Sequence, residues 1–503
     1  MTPSRKWLLT ALLCLLAVTQ SPAAGPYDDL LKWIPDQANT LLLMDIYELH
    51  KSPLGKQEDW AKKHTRTSLG GMSSMSPKIS KVVVAAQLNP STLNYAWEAG
   101  VFQLDLGIKE KELSRLVSGT PDSVSGKPIV LSPRNAYFVQ FQQWIIGMMK
   151  PANRQAMAQW VRFARPTGRV VLPPYLTQAQ ETAGNEPRPQ IVAAVDLSDV
   201  MDPEGLRNRL KKAKALAGQD IDIEEVTKLF TGLKGVTLVI RVVDTVQGEL
   251  HVDFTDRPDV IKSVAKRLLL DAVDSMGMAI EDLDNWAAKV DGKSIVLSGP
   301  LTERGARLML SPLLHPTTTA SIENEQVASS GSKKPESAAA ASQRYFSSIK
   351  TMLDDLQQQK VKTYKQQSYW YHQFAEKIDE LPMLNVDEDL LKYGSSVSTT
   401  LRGMCNLSTN VDVAQQGIRM NMGETMVSVP PSSSYYGNGN GWGYGYGTPG
   451  YTTSVNNYGM ASNMIAKSAG AANAIVAKTW QNIEQATRQV RQQMTQKYQV
   501  EFK

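Results

Sequence analysis

Residues Pro189–Leu206 read PQIVAAVDLSDVMDPEGL, and this stretch decides how the chain is divided. Ile191–Ala194, with Val195 and Leu197 on either side of Asp196, form an apolar run too short for an ordinary helix, so it reads as a buried strand. Asp202 can then cap a charged helical segment. Pro203 stands at a first-turn position, where no amide hydrogen is needed. Much earlier, TLLLMDI at Thr40–Ile46 does the same: an apolar run with an acid near its end, then Ser52-Pro53-Leu54-Gly55 and a charged segment. Strand, polar stop and helix, met twice, suggest two related halves.

Working outward, the first half offers strands at Lys81–Leu88 and Asn94–Leu106, a helix at Lys109–Val117, and a hairpin of Ile129–Leu131 with Ala136–Val139. A helix over Pro151–Ala164 follows. The second half offers a helix at Ile223–Phe230 and strands Val236–Val243 and Glu249–Phe254 about a Gln247-Gly248 turn. A long helix over Val260–Met278 comes next, then a hairpin of Trp286–Val290 with Ser294–Leu297 across Asp291-Gly292, and a closing helix at Leu301–Leu310. The halves share a string: GKPIVLS at Gly126–Ser132 and GKSIVLS at Gly292–Ser298. Strand, helix, strand, strand, helix, strand is the order of a ferredoxin-like split βαβ unit. The predicted fold class is therefore α+β: two ferredoxin-like halves related by duplication, side by side or in one larger sheet, followed by a helical arm and a low-complexity tail.

The predicted divisions follow from this reading. Residues 1–24 are a signal peptide, 25–168 the first α+β domain, 169–188 a proline-bearing linker with one short helical candidate at Pro174–Ala183, and 189–314 the second domain. Residues 315–343 are a disordered linker, because Thr317–Ser342 has little apolar surface to offset its chain entropy. Residues 344–427 form a helical arm: Phe346, Ile349, Leu353 and Leu356 make one stripe, and Trp370, Phe374 and Ile378 another, expected to fold onto the second domain, with a partner-binding coiled coil as the alternative. From Pro382 to Val427 the apolar residues show no clean period. Residues 428–458 are Gly/Tyr-rich, with GNGNGWGYGYG at Gly437–Gly447, a composition expected to be disordered. Residues 459–503 read as an amphipathic or coiled-coil helix, with Val476, Ile483 and Val490 every seven residues and Trp480 and Met494 beside them.

The ends and composition place the protein. Arg5 and Lys6, the apolar run Trp7–Val18, and Ser21-Pro22-Ala23-Ala24 form the three parts of a secretory signal, with cleavage expected after Ala23 or Ala24. The reading is thus an extracytoplasmic protein, periplasmic or secreted, without a membrane span. Leu13 stands where a lipoprotein signal before Cys14 would carry a small residue. Losing Arg5 and Lys6 lowers the net charge from +5, leaving a balance too weak for a nucleic-acid footprint. Cys405 is then the one remaining thiol, so no internal disulfide can form.

No residue is assigned a catalytic, cofactor-binding or metal role, and no cofactor is expected. His50, His64, His251, His315 and His372 lie too far apart in sequence to share a metal by local spacing. Asp220, Asp222, Glu224 and Glu225 lack the glycine turn of a calcium loop and suit the start of a helix. Neither a GxSxG elbow nor a phosphate-binding glycine loop occurs. The aromatics Tyr435, Tyr436, Trp442, Tyr444 and Tyr446 could stack on sugars, a weak glycan signal.

Four strings together resemble a known group: LPPYLTQAQETA at Leu172–Ala183, IVAAVDLSDV at Ile191–Val200, WAAKVDGKSIVLSGPL at Trp286–Leu301 and FAEKIDELPMLNVDEDLLKYG at Phe374–Gly394. They resemble the exported planctomycete-type bacterial proteins of unassigned function, over roughly residues 27 to 402. The resemblance implies export and brings no active site. The leading expectation is an exported, non-enzymatic binding or structural protein whose partner is a protein met through the arm or the C-terminal helix. The alternative is a hydrolase or small-ligand receptor with its site in the cleft between the halves.

Overall fold

The computed structural model describes residues 25–502 apart from 64–77, 91–93, 165–171, 311–336, 421–425, 429–451, 455–457 and single positions at 118, 134, 277, 279, 360, 362 and 384. The signal segment, His64, His315 and the tail aromatics lie outside the described residues.

The first half contains α1 (Asp28–Leu31), β1 (Thr40–Asp45), α2 (Ile46–Lys51), α3 (Pro53–Gln57), α4 (Trp60–Lys63), β2 (Ile79–Asn89), β3 (Asn94–Leu104) and α5 (Glu110–Leu116). A meander of β4 (Thr120–Val124), β5 (Lys127–Ser132), β6 (Ala136–Gln142) and β7 (Ile145–Lys150) follows, then α6 (Arg154–Phe163) and α7 (Pro174–Gly184). The second half contains β8 (Ile191–Asp196), α8 (Pro203–Leu210), α9 (Ile223–Thr231), β9 (Leu233–Val242), β10 (Val246–Phe254), α10 (Ala265–Met276), β11 (Ala287–Asp291), β12 (Ser294–Pro300) and α11 (Glu303–Leu310). The arm contains α12 (Ala338–Gln358), α13 (Tyr364–Asp379), α14 (Glu388–Met420), the short strands β13 (Met426–Ser428) and β14 (Thr452–Ser454), and α15 (Tyr458–Tyr498). The fold is α+β with a large antiparallel sheet and a helical C-terminal arm.

All twelve strands of the two halves form one sheet in the order β11-β12-β10-β9-β8-β1-β2-β3-β7-β6-β5-β4. The seam is β1 against β8, antiparallel, with Leu42 opposite Ala193. This corrects the split βαβ expectation. Such a unit places its first strand beside a parallel partner, whereas β1 pairs antiparallel with β2 and β8 with β9. Of the two packings foreseen, the halves adopt the shared sheet. The helical candidate at Pro174–Ala183 is α7, and it buries Leu176, Ala179 and Ala183 in the core, so this part of the predicted linker packs with the halves.

One sheet face packs Leu42, Val84, Phe102, Met148, Ile240 and Leu297 against helices of both halves. The opposite face packs Leu41, Val83, Val101, Val139 and Val192 against α1, α6 and α7, and no residue of β9–β12 joins that second core. The outermost strands carry their own protection: Pro121 and Asp122 in β4, Lys289 in β11. These are residues that discourage further strand pairing.

Several boundaries differ from the sequence reading. The β9–β10 turn falls before Val246, and Gly248 lies within β10 opposite Gly299. The reason is Trp286, which lies over both glycines: a Cβ on Gly248 would come within 2.3 Å of its ring, and one on Gly299 within 2.5 Å. Val260–Met278 is a short 3-10 turn at Asp259–Ile261 followed by α10. The end of the predicted disordered linker is helical: Ser337 caps α12 by accepting from Ala340, and Ser342 is fully buried. Alanines at 338–341 favour helix strongly enough to extend it there.

The patternless stretch after Pro382 becomes the long helix α14. Its buried positions Leu390, Tyr393, Val397, Leu401, Met404 and Ser408 do keep a three-and-four spacing. Small and polar residues at buried sites such as Ser398 and Ser408 hid the period. Both predicted arm stripes, together with Ile483, Val490 and Met494, point into one core among the four helices. The stripes, expected to fold onto the second domain or to meet a partner, are thus covered mainly by the arm's own helices, with Leu308 of α11 joining them.

Candidate functional site

The face of β9–β12 turned away from the first core is where polar side chains gather, beside the buried Val239 and Val296. Alternation in β10 sends Leu250, Val252 and Phe254 toward the first core, which leaves Glu249, His251 and Asp253 on the other side. Arg241 on β9 donates to Glu249 at 3.1 Å. His251 Nε2 lies 2.9 Å from the same carboxylate. All three are half-exposed, with about a third of each side chain open to solvent.

Beside this trio Asp253 accepts from two hydroxyls. Tyr175 of α7 donates at 2.6 Å, and Ser294 of β12 donates to the other oxygen. Tyr175 Oη also lies 2.9 Å from Thr237 Oγ1 on β9. Pro174 starts α7 at a position suited to proline, and the Tyr175 ring then crosses Gly235, where a Cβ would approach Cε1 to 2.3 Å. Burial, then the Asp253 carboxylate, push the Tyr175 hydroxyl well above its ordinary range. It therefore remains a neutral donor at any physiological pH.

Each ionisable group here is engaged by a neighbour, which suits a fixed pattern of donors and acceptors. At the junction of the halves, where the alternative reading expected a cleft, the paired strands β1 and β8 are covered on both faces. Among the described residues no three His, Cys, Asp or Glu side chains come together as metal ligands, and no helix is long and apolar enough to cross a membrane.

The other residues singled out in the sequence lie apart from this face. His50 is in the last turn of α2, and His372 pairs with Glu376 one helical turn on, at 3.4 Å. Asp222 caps α9 by accepting from Glu224 N at 2.8 Å, and Glu224 binds Arg207, so the acidic run starts a helix as its composition suggested. Cys405 is half-buried, with its sulfur 3.3 Å from Ser368 Oγ. The sequence reading assigned no role to Tyr175, Asp253 or Ser294. The signal available was the alternation in ELHVDF, which makes one face of a strand wholly polar.

Comparison with protein-family models and with curated proteins finds no match. Among solved structures, crystal form I of TP0453 aligns with 12% identity and a TM-score of 0.31, covering 58% of this chain and 99% of that one. Crystal form III aligns with 10% identity and the same TM-score, covering 58% and 98%.

Proposed function

We propose that this protein works outside the cytoplasm by binding rather than by catalysis, and that the half-exposed face of β9, β10 and β12 is its recognition surface. The observation that carries this reading is the mutual engagement of Arg241, Glu249 and His251, beside Tyr175, Asp253 and Ser294. Side chains already held by neighbours lose little freedom on meeting a ligand, which favours recognition. Export, cleavage near Ala23 or Ala24, and kinship with the planctomycete-type exported proteins belong to the same reading.

The test is capture of native cell-envelope material by the mature protein, compared with Arg241→Ala/His251→Ala. A loss of retained material of tenfold or more is expected. Equal retention by both proteins overturns the assignment of this face, and a mature protein that captures nothing overturns binding as the function.

The two halves are further read as copies of one unit. In support, each runs outward from the seam as strand, helices and hairpin, then a helix and a meander whose last strand pairs with the second strand of the hairpin. GKPIVLS and GKSIVLS both begin at a tight turn, where Gly126 and Gly292 have φ of +77° and +58°.

A further inference from the structure

The arm and the sheet body have separate cores. Every buried member of the arm cluster except Leu308 comes from α12–α15 or the residues flanking them. No arm residue enters either core of the body, and Ile280 alone packs against both the arm core and a body core.

Besides Leu308, Ile280 and a packing of α10 on α13, polar pairs join them. Arg307 of α11 donates twice to Asp355 of α12, at 3.0 and 2.8 Å, with only 7% of the Asp355 side chain exposed. Arg304 donates to Gln359 at 2.6 Å. At the other end of the contact Lys150, the last residue of β7, pairs with Glu380 just after α13, and both are mostly buried. Lys150 also feels Glu98 of β3 and Glu376 of α13. In these pairs the body supplies cations and the arm supplies acceptors.

One group opposes this pattern. Lys377 of α13 is a buried cation on the arm's side, its amine lowered by burial, with Arg307 adding to the shift and Asp355 opposing it. A charged amine away from water is costly, and a contact between separate cores that rests in part on polar pairs favours relative motion.

We propose that the four-helix arm is a releasable cap, locked onto the sheet body by the Arg307–Asp355 and Lys150–Glu380 pairs. Release leaves Arg304, Arg307 and Lys150 open on the body, a surface suited to a carboxylate-bearing protein segment that replaces the arm. The proposal is independent of the recognition face, which lies on the other side of the sheet.

The test uses mature full-length protein in a Cys405→Ser background, with spin labels at Val243→Cys on the body and Ile475→Cys on the arm, both exposed positions. The unaltered junction should give one narrow distance distribution. Arg307→Asp should raise a second, longer population at least tenfold while helical content by circular dichroism is retained, and Arg307→Asp/Asp355→Arg should restore the narrow one. An unchanged distribution in Arg307→Asp and in Lys150→Glu overturns the proposal. Loss of helix and sheet together in one transition also overturns it, because arm and body would then be a single folding unit.

Discussion

Tyr175 Oη donates to Asp253 Oδ2 at 2.6 Å, which ties the helix after the first half to the third strand of the second. Asp253 is left with one hydroxyl donor fewer if that bond is lost. Tyr175→Phe should lower stability by about 1–3 kcal/mol, the cost of leaving a poorly solvated acceptor short of a partner. Urea unfolding checks this, and an unchanged midpoint would show that the bond adds nothing.

The Trp286 slot gives a steric prediction. A Cβ at Gly248 meets the indole at 2.3 Å, and that ring is fully buried with its Nε1 donating to Pro300 O at 2.9 Å. The ring cannot retreat without losing that bond. Gly248→Ala should cost about 1–3 kcal/mol through overpacking, seen as a lower Tm. Gly126→Ala meets nothing within 4 Å and should act only through its left-handed turn conformation, where alanine is strained, so the smaller loss is expected there.

Lys377 predicts a pH dependence of defined sign. Burial, with Arg307 adding to it and Asp355 opposing, lowers its amine from 10.5 to about 8. Between those values the unfolded chain holds a proton that the native protein has shed, so this group makes stability rise with pH across that window. Below about pH 8 the buried charge carries its full penalty. Lys377→Met should therefore stabilise the protein at pH 7 by about 1–4 kcal/mol, with Asp355 still held by Arg307. The gain should shrink from pH 8 to 10 in paired denaturation curves, and a constant difference would contradict the assignment.

Glu501 and Phe502 are structural. Phe502 is fully buried against Phe346, ring centroids 6.0 Å apart, and Glu501 O accepts from Gln343 at 2.9 Å. Phe502→Ala should lower stability by about 3–5 kcal/mol through loss of burial and the cavity left behind. Differential scanning calorimetry measures it, and a shift near zero would place Phe502 outside the core.

The sequence made most of the elements legible, since Ile191–Asp196 and Thr40–Asp45 are strands and Pro203 opens a helix as expected. It concealed how the strands join. Apolar runs state that a strand is buried and leave its neighbours open, so a seam of β1 with β8 and a split βαβ unit write the same residues. The strand Ile145–Lys150 was missed because Gly147 and two methionines weaken its pattern. There Phe141 and Trp160 pack so closely that a Cβ at position 147 would meet them at 2.4 and 2.8 Å. The polar face was half legible: Glu249, His251 and Asp253 alternate in plain view. Their partners Tyr175 and Ser294 come from other elements, and only the register brings them together.

The pairing of Leu42 with Ala193 has a consequence for how the chain reaches this state. One side of β1 stays unsatisfied until about 150 further residues have arrived, a long-range closure of the kind that slows folding. A newly made chain ending before position 190 would carry a bare central strand rich in leucine, open to pairing with another such chain. The middle of the finished sheet, its best protected part, is therefore the most exposed to misassembly during synthesis.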